Sequence, residues 1–374
     1  MKILIVSASQ FGYLIDYHRY YTYLKGKGYD VKYMCWDFGK ERLEPGNPDI
    51  IYVSRSGAKV RRLSRFIKAV VDYEKEMKFD RILLNNFKLD FTLLLSIPKE
   101  KMYYDIRTVT VSTKRYRRVL FDSMIAFAAK RFRHTSVITD AAAKRLGIRR
   151  YRLLPLGGAR FPAAAVNDPE VDQYRSLFSG NDFIFLYVGT LSQRRMIEPV
   201  MGFHEYLKKN PTAAVKFILV GDSFGNELET IREYVKSNGI EKYVLALGYI
   251  PQKRLALFFQ EADCGITWFP ITPFFDVQPN TKTYEYLING MPVIATATQD
   301  NARLLNHADI ECGIVIKDNP QDFERAVGEI MAKYHLYDKK TIADRFSEYE
   351  WDNLFKRYLD KALDLPDQPE KRAI

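Results

Sequence analysis

Residues 275–296 read FDVQPNTKTYEYLINGMPVIAT. Asn280 and Thr281 are residue types that cap a helix start, and Asn289-Gly290 is a pair that closes one at a left-handed position. The interval between them predicts a helix of only two to three turns. It runs straight into Pro292-Val293-Ile294-Ala295-Thr296, an apolar run of the kind that forms a strand buried on both faces. A short helix delivered directly into a buried strand is half of a crossover unit, which points to a parallel, doubly wound α/β sheet.

The same rhythm extends in both directions. Upstream lie the strand-like runs Phe183–Val188, Lys216–Val220, Val244–Leu247 and Cys264–Thr267, and downstream lies Gly313–Ile316. The first half repeats the pattern with Lys2–Val6, Asp30–Cys35, Asp49–Val53, Arg81–Leu84, Met102–Asp105, Ser136–Thr139 and Tyr151–Pro155. A stretch of small and polar residues, Pro162 to Asp172, separates the two series. The expected architecture is therefore α/β with two Rossmann-like doubly wound domains, residues 1–163 and 164–345. A helical segment over 346–365, containing Trp351, follows them, and the tail beyond it is expected to fray.

Composition is consistent with two such domains: 374 residues, 47% hydrophobic and 28% charged. No apolar run reaches the roughly 18–20 residues of a membrane span. The opening strand-like run does not read as a signal peptide. Cys35, Cys264 and Cys312 are odd in number and far apart, which fits buried thiols in a reducing cytoplasm better than disulfides or a zinc site. His18, His134, His204, His307 and His335 show no metal-ligand spacing either. The net charge of +11 is unevenly spread: residues 1–165 hold 33 Lys+Arg against 15 Asp+Glu, and the remainder holds 24 against 31. An anionic partner for the first half is one explanation, and a basic solubilising surface is the other.

Three segments carry candidate chemistry. The start of the helix at Asn280 and Thr281 presents unpaired N–H groups and the positive end of a dipole, which suits a diphosphate. Lys282 and Glu285 share its next turn. They fit a phosphate-side cation and a carboxylate for ribose hydroxyls, but by spacing alone an exposed helical ion pair is the simpler reading. In Tyr187-Val188-Gly189-Thr190-Leu191-Ser192-Gln193-Arg194-Arg195, Gly189 lets a phosphate approach the backbone, and Arg194 and Arg195 supply charge and paired donors. Ile218-Leu219-Val220-Gly221-Asp222 resembles a dinucleotide fingerprint only loosely, since the middle glycine is missing.

Taken in order, VGTLSQRR, LVGDS, LGYIP and NTKTYEYLINGMPVIAT resemble the donor domain of glycosyltransferase family 4, whose members are retaining enzymes of the glycosyltransferase B fold. The resemblance is strongest over 183–300. It implies two domains facing a central cleft and a nucleotide diphosphate sugar as co-substrate, with no cofactor and no metal. Gly189, Thr190 and Leu191 align with the family's Gly-Arg-Leu turn, so Arg195, with Arg194, takes its basic role at the phosphates. Gly221 stands at the next strand end, and Tyr249 and Ile250 fall where the family's backbone reads the base. Glu285 matches the second glutamate of the E-x7-E motif, which binds the ribose.

The first glutamate of that motif is replaced by Val277. The stretch looks like the variant with Pro-x-x-Lys-x-x-Glu-Tyr, which leaves Asp276 or Gln278 to meet the sugar and Asn280 and Thr281 to meet the phosphates. In the first domain the resemblance places Gly12 over the diphosphate. Asp105 falls where many members carry a His-Asp pair; it and Arg107 read either as site residues or as a structural ion pair. By the same resemblance Arg195 and Lys282 stabilise the departing phosphate, which helps deprotonate the acceptor, and Asp105 is the third catalytic candidate.

Residues 115–133, RYRRVLFDSMIAFAAKRFR, form a basic amphipathic pattern that fits an anionic bilayer or a core-packed helix. The family architecture favours the core for its apolar stripe. Its cations, with Arg55, Lys59, Arg61, Arg62 and Arg65, then form a membrane-facing patch. The expected function is transfer of a sugar to a hydroxyl of a glycan or lipid-linked acceptor in cell-surface polysaccharide assembly, in the cytoplasm or at the inner face of the membrane. Two alternatives stay open: a degenerate, non-catalytic subunit, suggested by Thr190 and Val277, and a nucleic-acid-binding protein, suggested only by basicity and lacking a recognition motif.

Overall fold

The structure, a computed structural model, describes residues 1–366 except 113, 163–168, 179, 181 and 308. The tail expected to fray and most of the small-residue stretch between the two series fall outside the described residues beyond Pro366 and at 163–168. The chain forms two compact units, one comprising residues 1–156 with the segment from Trp351 onward, the other comprising Gly157–Glu350.

The first unit holds a seven-stranded, all-parallel sheet. Its strands are β1 (Lys2–Ser7), β2 (Asp30–Asp37), β3 (Ile50–Ser54), β4 (Arg81–Asn85), β5 (Met102–Ile106), β6 (His134–Val137) and β7 (Arg152–Leu153). Their order across the sheet is β3-β2-β1-β4-β5-β6-β7. Ile3, Leu4, Ile5 and Val6 of β1 are wholly buried because the sheet is covered on both faces.

The second unit has six parallel strands: β8 (Phe183–Val188), β9 (Val215–Val220), β10 (Val244–Gly248), β11 (Cys264–Thr267), β12 (Val293–Thr296) and β13 (Gly313–Ile316). They lie in the order β10-β9-β8-β11-β12-β13. Each sheet thus runs outward in one direction, returns to its middle and continues in the other. This places a topological switch between β1 and β4 and another between β8 and β11, where such sheets bind ligands.

The terminal helix, expected over 346–365, starts later than the sequence suggests. A helix, Lys339–Phe346, stops, the chain turns through Ser347–Glu350, and a new helix starts at Trp351 and passes through a π-helical turn, Phe355–Leu359. This last helix belongs to the first unit. Phe355 packs against Tyr20 and Tyr23 with ring centroids 5.5 and 4.9 Å away. Asp360 accepts hydrogen bonds from Tyr23 at 2.9 Å and Lys27 at 2.7 Å, and Asp364 pairs with Arg152 at 2.6 Å.

The helix Arg115–Ala129 departs from the expectation that its apolar stripe is core. Its sequence carries two apolar stripes rather than one. Phe121, Met124, Ile125 and Ala128 share the inward face, whereas Tyr116, Val119, Leu120 and Phe127 share the opposite face and are 62%, 59%, 55% and 41% exposed. Only Ala128 and Ala129 are fully buried. The inward stripe, with Phe87, Val109 and Tyr104, borders a mostly apolar cavity of about 350 Å³ whose wall includes the buried Asp90.

Burial raises the Asp90 pKa to about 6, against hydrogen bonds from the Phe87 and Phe91 N–H groups and from Tyr104 that pull it down. A folded-state pKa above the unfolded value means that the stabilisation belongs to the protonated form. It is complete below the ordinary carboxylate value near 4 and is lost as pH rises through about 6. Chemical denaturation of wild type and Asp90→Asn at pH 4 and pH 7 should therefore show the variant gaining about 2–3 kcal/mol relative to wild type across that interval. A difference independent of pH would contradict the assignment.

Candidate functional site

At the β8/β11 switch three neighbouring strands, β8, β9 and β10, leave the sheet through Gly189, Gly221 and Gly248. Gly189 N–H donates to the Val220 carbonyl at 3.0 Å and Gly221 N–H to the Gly248 carbonyl at 2.8 Å. Gly221 has φ +153°, and a Cβ there would lie 1.8 Å from the Gly189 carbonyl oxygen. Only glycine permits this contact, and the result is a rim of bare backbone.

The loop after Gly189 is held to its neighbour by Leu191 N–H donating to the Asp222 carbonyl at 2.9 Å, with the Thr190 hydroxyl 3.3 Å from the same oxygen. Gln193 and Arg195 adopt left-handed backbone conformations, φ +60° and +55°, uncommon for residues with side chains and the kind of local strain that gathers at functional loops. Between them Arg194 turns inward. Its guanidinium carbon lies 3.9 Å from the Phe269 ring centroid and 4.5 Å from that of Phe275. Its Nη1 is buried without a hydrogen-bond partner among the described residues. Burial lowers the Arg194 pKa, with the Tyr187 hydroxyl acting in the opposite direction. Arg195 turns outward, where Glu198 at 2.7 Å and Asp318 at 3.1 Å hold it, and Asp318 also accepts the Ile271 N–H at 3.0 Å.

The helix Thr281–Ile288 starts at Asn280, whose side chain accepts the Lys282 N–H at 3.1 Å. Gly290, at φ +78°, follows its end. Its inner face is tied to β8 and to the helix Gln299–Leu305: the Tyr286 hydroxyl accepts the Val188 N–H at 2.9 Å, Thr283 donates to Asn301 at 2.9 Å, and Tyr284 donates to Asp300 at 2.8 Å. Glu285 is only 3% exposed and pairs with Lys282. Gly158 lies against it so closely that a Cβ would sit 3.0 Å from Glu285 Cγ. Asn289 holds that segment by donating to the Ala159 carbonyl at 3.0 Å and accepting the Phe161 N–H at 2.9 Å.

Asp276, in the turn Phe275–Val277, accepts a hydrogen bond from Gln299 at 2.7 Å, and Gln278 follows it half-buried. Beyond β10, Tyr249 is 73% exposed whereas Ile250 is buried. Gly189, Thr190, Arg194, Arg195, Gly221, Asp276, Gln278, Asn280, Thr281, Lys282 and Glu285 thus all lie in the second unit, on loops and a helix start around or beside one switch. Gly12 and Asp105 belong to the first unit. Gly12 has φ +85°, and a Cβ there would meet the Leu43 side chain at 2.2 Å. Asp105 is fully buried: it accepts from Ser136 at 2.6 Å and Tyr17 at 3.1 Å and lies 3.8 Å from Arg107, which is clamped by Asp16. Burial raises the Asp105 pKa, opposed by Arg107 and the two hydroxyl donors.

Several residues of this region have no signal in the sequence. Phe269 and Phe275 sit about 75–80 positions from the arginine beside which they pack, and Glu198 and Asp318 form an arginine clamp from two separate helix starts. Gly158 stands beside Gly157 far from Glu285 in the sequence, and only the fold brings it to that carboxylate's side chain. Among the described residues no three His, Cys, Asp or Glu side chains are grouped as a metal site would need, and no helix is long and apolar enough to cross a membrane.

Residues 170–348 match the family model described as glycosyl transferases group 1. Sucrose-phosphate synthase from Thermosynechococcus elongatus is similar in structure at 17% identity, with 96% of this chain and 97% of that chain covered and a TM-score of 0.72. A glycosyltransferase from Rickettsia africae shares 11% identity over 97% and 98% of the two chains, TM-score 0.75. Anabaena HepE in complex with UDP shares 15% identity over 97% and 100%, TM-score 0.73. A search by sequence among curated proteins finds no match. The fold this chain shares with those structures is two parallel-sheet Rossmann-like domains.

The glycine rim gives a direct test. Gly221→Ala should cost about 2–4 kcal/mol in thermal or chemical denaturation, since the added methyl meets a carbonyl that cannot yield and the φ is unfavourable. Gly26→Ala, at a helix end with open space, should be neutral or slightly stabilising.

Proposed function

We propose that the protein transfers a sugar from a nucleotide diphosphate sugar to a hydroxyl of a glycan or lipid-linked acceptor, with retention of configuration, in cell-surface polysaccharide assembly. The reading rests on one observation: a bare glycine rim with an arginine loop after it, and a capped helix start followed by a buried glutamate, lie on connections around a single switch point of the second sheet. Bare backbone admits phosphate oxygens, and the helix dipole and Arg194 attract them. Glu285, held by Lys282 and Gly158, is poised to accept ribose hydroxyls. The base then lies toward Tyr249 and Ile250, the sugar toward Asp276 and Gln278, and Thr281 assists Asn280 at the phosphates.

In the transfer, the bond between the anomeric carbon and the phosphate oxygen breaks while the acceptor oxygen bonds to that carbon. The acceptor proton passes to the departing phosphate, whose charge Arg195 and Lys282 stabilise. Arg195 reaches this role by leaving or sharing Glu198 and Asp318. Gly12, in the loop after β1, is the first unit's candidate contact to a diphosphate. Asp105, buried among Tyr17, Ser136 and Arg107, acts as a positioning residue rather than at the reacting atoms. The transfer is proposed to need no metal. The protein works in the cytoplasm, at the inner face of the membrane, where the basic first half meets an anionic surface and no nucleic acid.

HepE was crystallised with UDP-glucose, which makes uridine nucleotides the first probes. A thermal-shift and nucleotide-release screen over UDP-, GDP- and ADP-sugars should give one responding nucleotide. Glu285→Ala should weaken its binding at least tenfold, the effect of removing a buried acceptor of two hydroxyls. No response to any nucleotide sugar, or wild-type binding by Glu285→Ala, would sink the proposal. Where turnover is found, dialysis against a chelator should leave its rate unchanged; a rate lost to the chelator and restored by a divalent cation would overturn the metal-free mechanism. The clamped Arg195 and the buried Val277 favour one other reading, a binding subunit without turnover. Tight nucleotide-sugar binding with no release of nucleotide across acceptors would select it.

A further inference from the structure

A groove of about 820 Å³ lies in the first unit, at the end of its sheet where β6 and β7 begin, away from the strand ends that carry Gly12. Three connections build it: the turn before β5, the turn between the helix Arg115–Ala129 and β6, and the turn between the helix Asp140–Leu146 and β7. They bring six cations to its walls, Lys99, Lys130, Arg131, Arg133, Arg149 and Arg150, against one acid, Glu100. Glu100 lies 3.8 Å from Arg133, and Arg131 donates to the Phe127 carbonyl at 3.0 Å. Lys99, Lys130, Arg149 and Arg150 have no carboxylate partner among the described residues.

Cations near helix C-termini are ordinary, because the dipole favours them. Six around one groove with a single acid exceed that need and leave several charges without a counter-charge. The second feature is the outward stripe of the helix that feeds the groove. Tyr116, Val119, Leu120 and Phe127 form one exposed apolar face, and Arg131 caps its end, with its guanidinium 3.1 Å from the Phe127 ring centroid. Arg115 and Arg117 flank the other end, both exposed. An apolar stripe ending in a cationic groove matches an interfacial helix lying in the acyl–headgroup boundary with its cations at phosphate level. A nucleic acid would match the charge alone and leave the apolar stripe without a partner.

We infer that this groove binds the phosphate headgroups of anionic phospholipids and, with the exposed face of helix Arg115–Ala129, docks the first unit on the bilayer. The inference rests on the proposal that the basic first half meets an anionic membrane, and it names the place. Wild-type protein should float with phosphatidylcholine vesicles containing phosphatidylglycerol, release with rising salt, and ignore phosphatidylcholine alone.

Combined Lys130→Glu, Arg149→Glu and Arg150→Glu substitution should weaken vesicle binding about a hundredfold. Lys208→Glu, Lys236→Glu and Lys242→Glu, an equal charge change on exposed lysines of the second unit, should weaken it only a few-fold. Val119→Asp with Leu120→Asp should also release the protein while nucleotide-sugar thermal shift stays at wild-type size, which separates docking from misfolding. Equal losses from the two charge-reversal sets would overturn the groove and leave the membrane proposal standing. Wild type that ignores anionic vesicles would overturn both. Groove-dependent capture by a single-stranded oligonucleotide that vesicles do not displace would overturn the lipid in favour of a nucleic acid.

Discussion

Tyr286 fills the space that any side chain on Gly265 would occupy: a Cβ there would lie 2.3 Å from its ring. That one contact presses the helix Thr281–Ile288 onto β11, and the same tyrosine's hydroxyl takes the Val188 N–H where β8 ends. Its ring also stacks with Phe259 at 5.3 Å. The helix start and the end of β8, from which Gly189 continues, are therefore referred to one buried aromatic. Glu285 is the next residue back along that helix, and it inherits its position from this anchor. Burying the tyrosine hydroxyl is tolerable because a strand-end N–H, which has no partner in the ladder there, supplies the hydrogen bond.

The strands were legible in the sequence to within two residues at nearly every end, because parallel strands buried on both faces read as continuous apolar runs bounded by glycine and polar turns. Phe183–Val188, Cys264–Thr267 and Gly313–Ile316 are observed with the bounds their apolar runs suggest. β7 is shorter than the run around it, two residues, since an edge strand gains pairing on one side only. The terminal segment misled for a different reason. The helix expected from residue 346 begins only at Trp351, since Ser347–Tyr349 form a separate 3-10 turn.

The site was legible where chemistry needs backbone freedom and was opaque where it needs side chains from afar. Gly189, Gly221 and Gly290 announced themselves as glycines, and Asn280 as a cap. The cradle of Arg194 did not, since Phe269 and Phe275 are unremarkable aromatics until the fold stacks them on a cation. Helix Arg115–Ala129 is the instructive failure. Periodicity reported that it is apolar and basic, but two apolar stripes on one helix exceed what one sheet face can cover. Which stripe goes inward is set by the neighbouring Phe87 and Tyr104, not by the helix itself.

The last helix supplies Phe355, Asp360 and Asp364 to the first unit, so that unit is assembled from both extremes of the described chain, whereas the second is one uninterrupted stretch. On the ribosome this fixes an order. Residues 1–156 precede the second unit yet lack the partners of Tyr20, Tyr23, Lys27 and Arg152 until the segment from Trp351 is made, while Gly157–Glu350 has its whole core available earlier. Of the two units, the one begun first is completed last, and its basic and apolar surfaces stay in an unfinished domain while the second unit is made. A nascent chain of this kind has a long interval in which a chaperone can hold its N-terminal half.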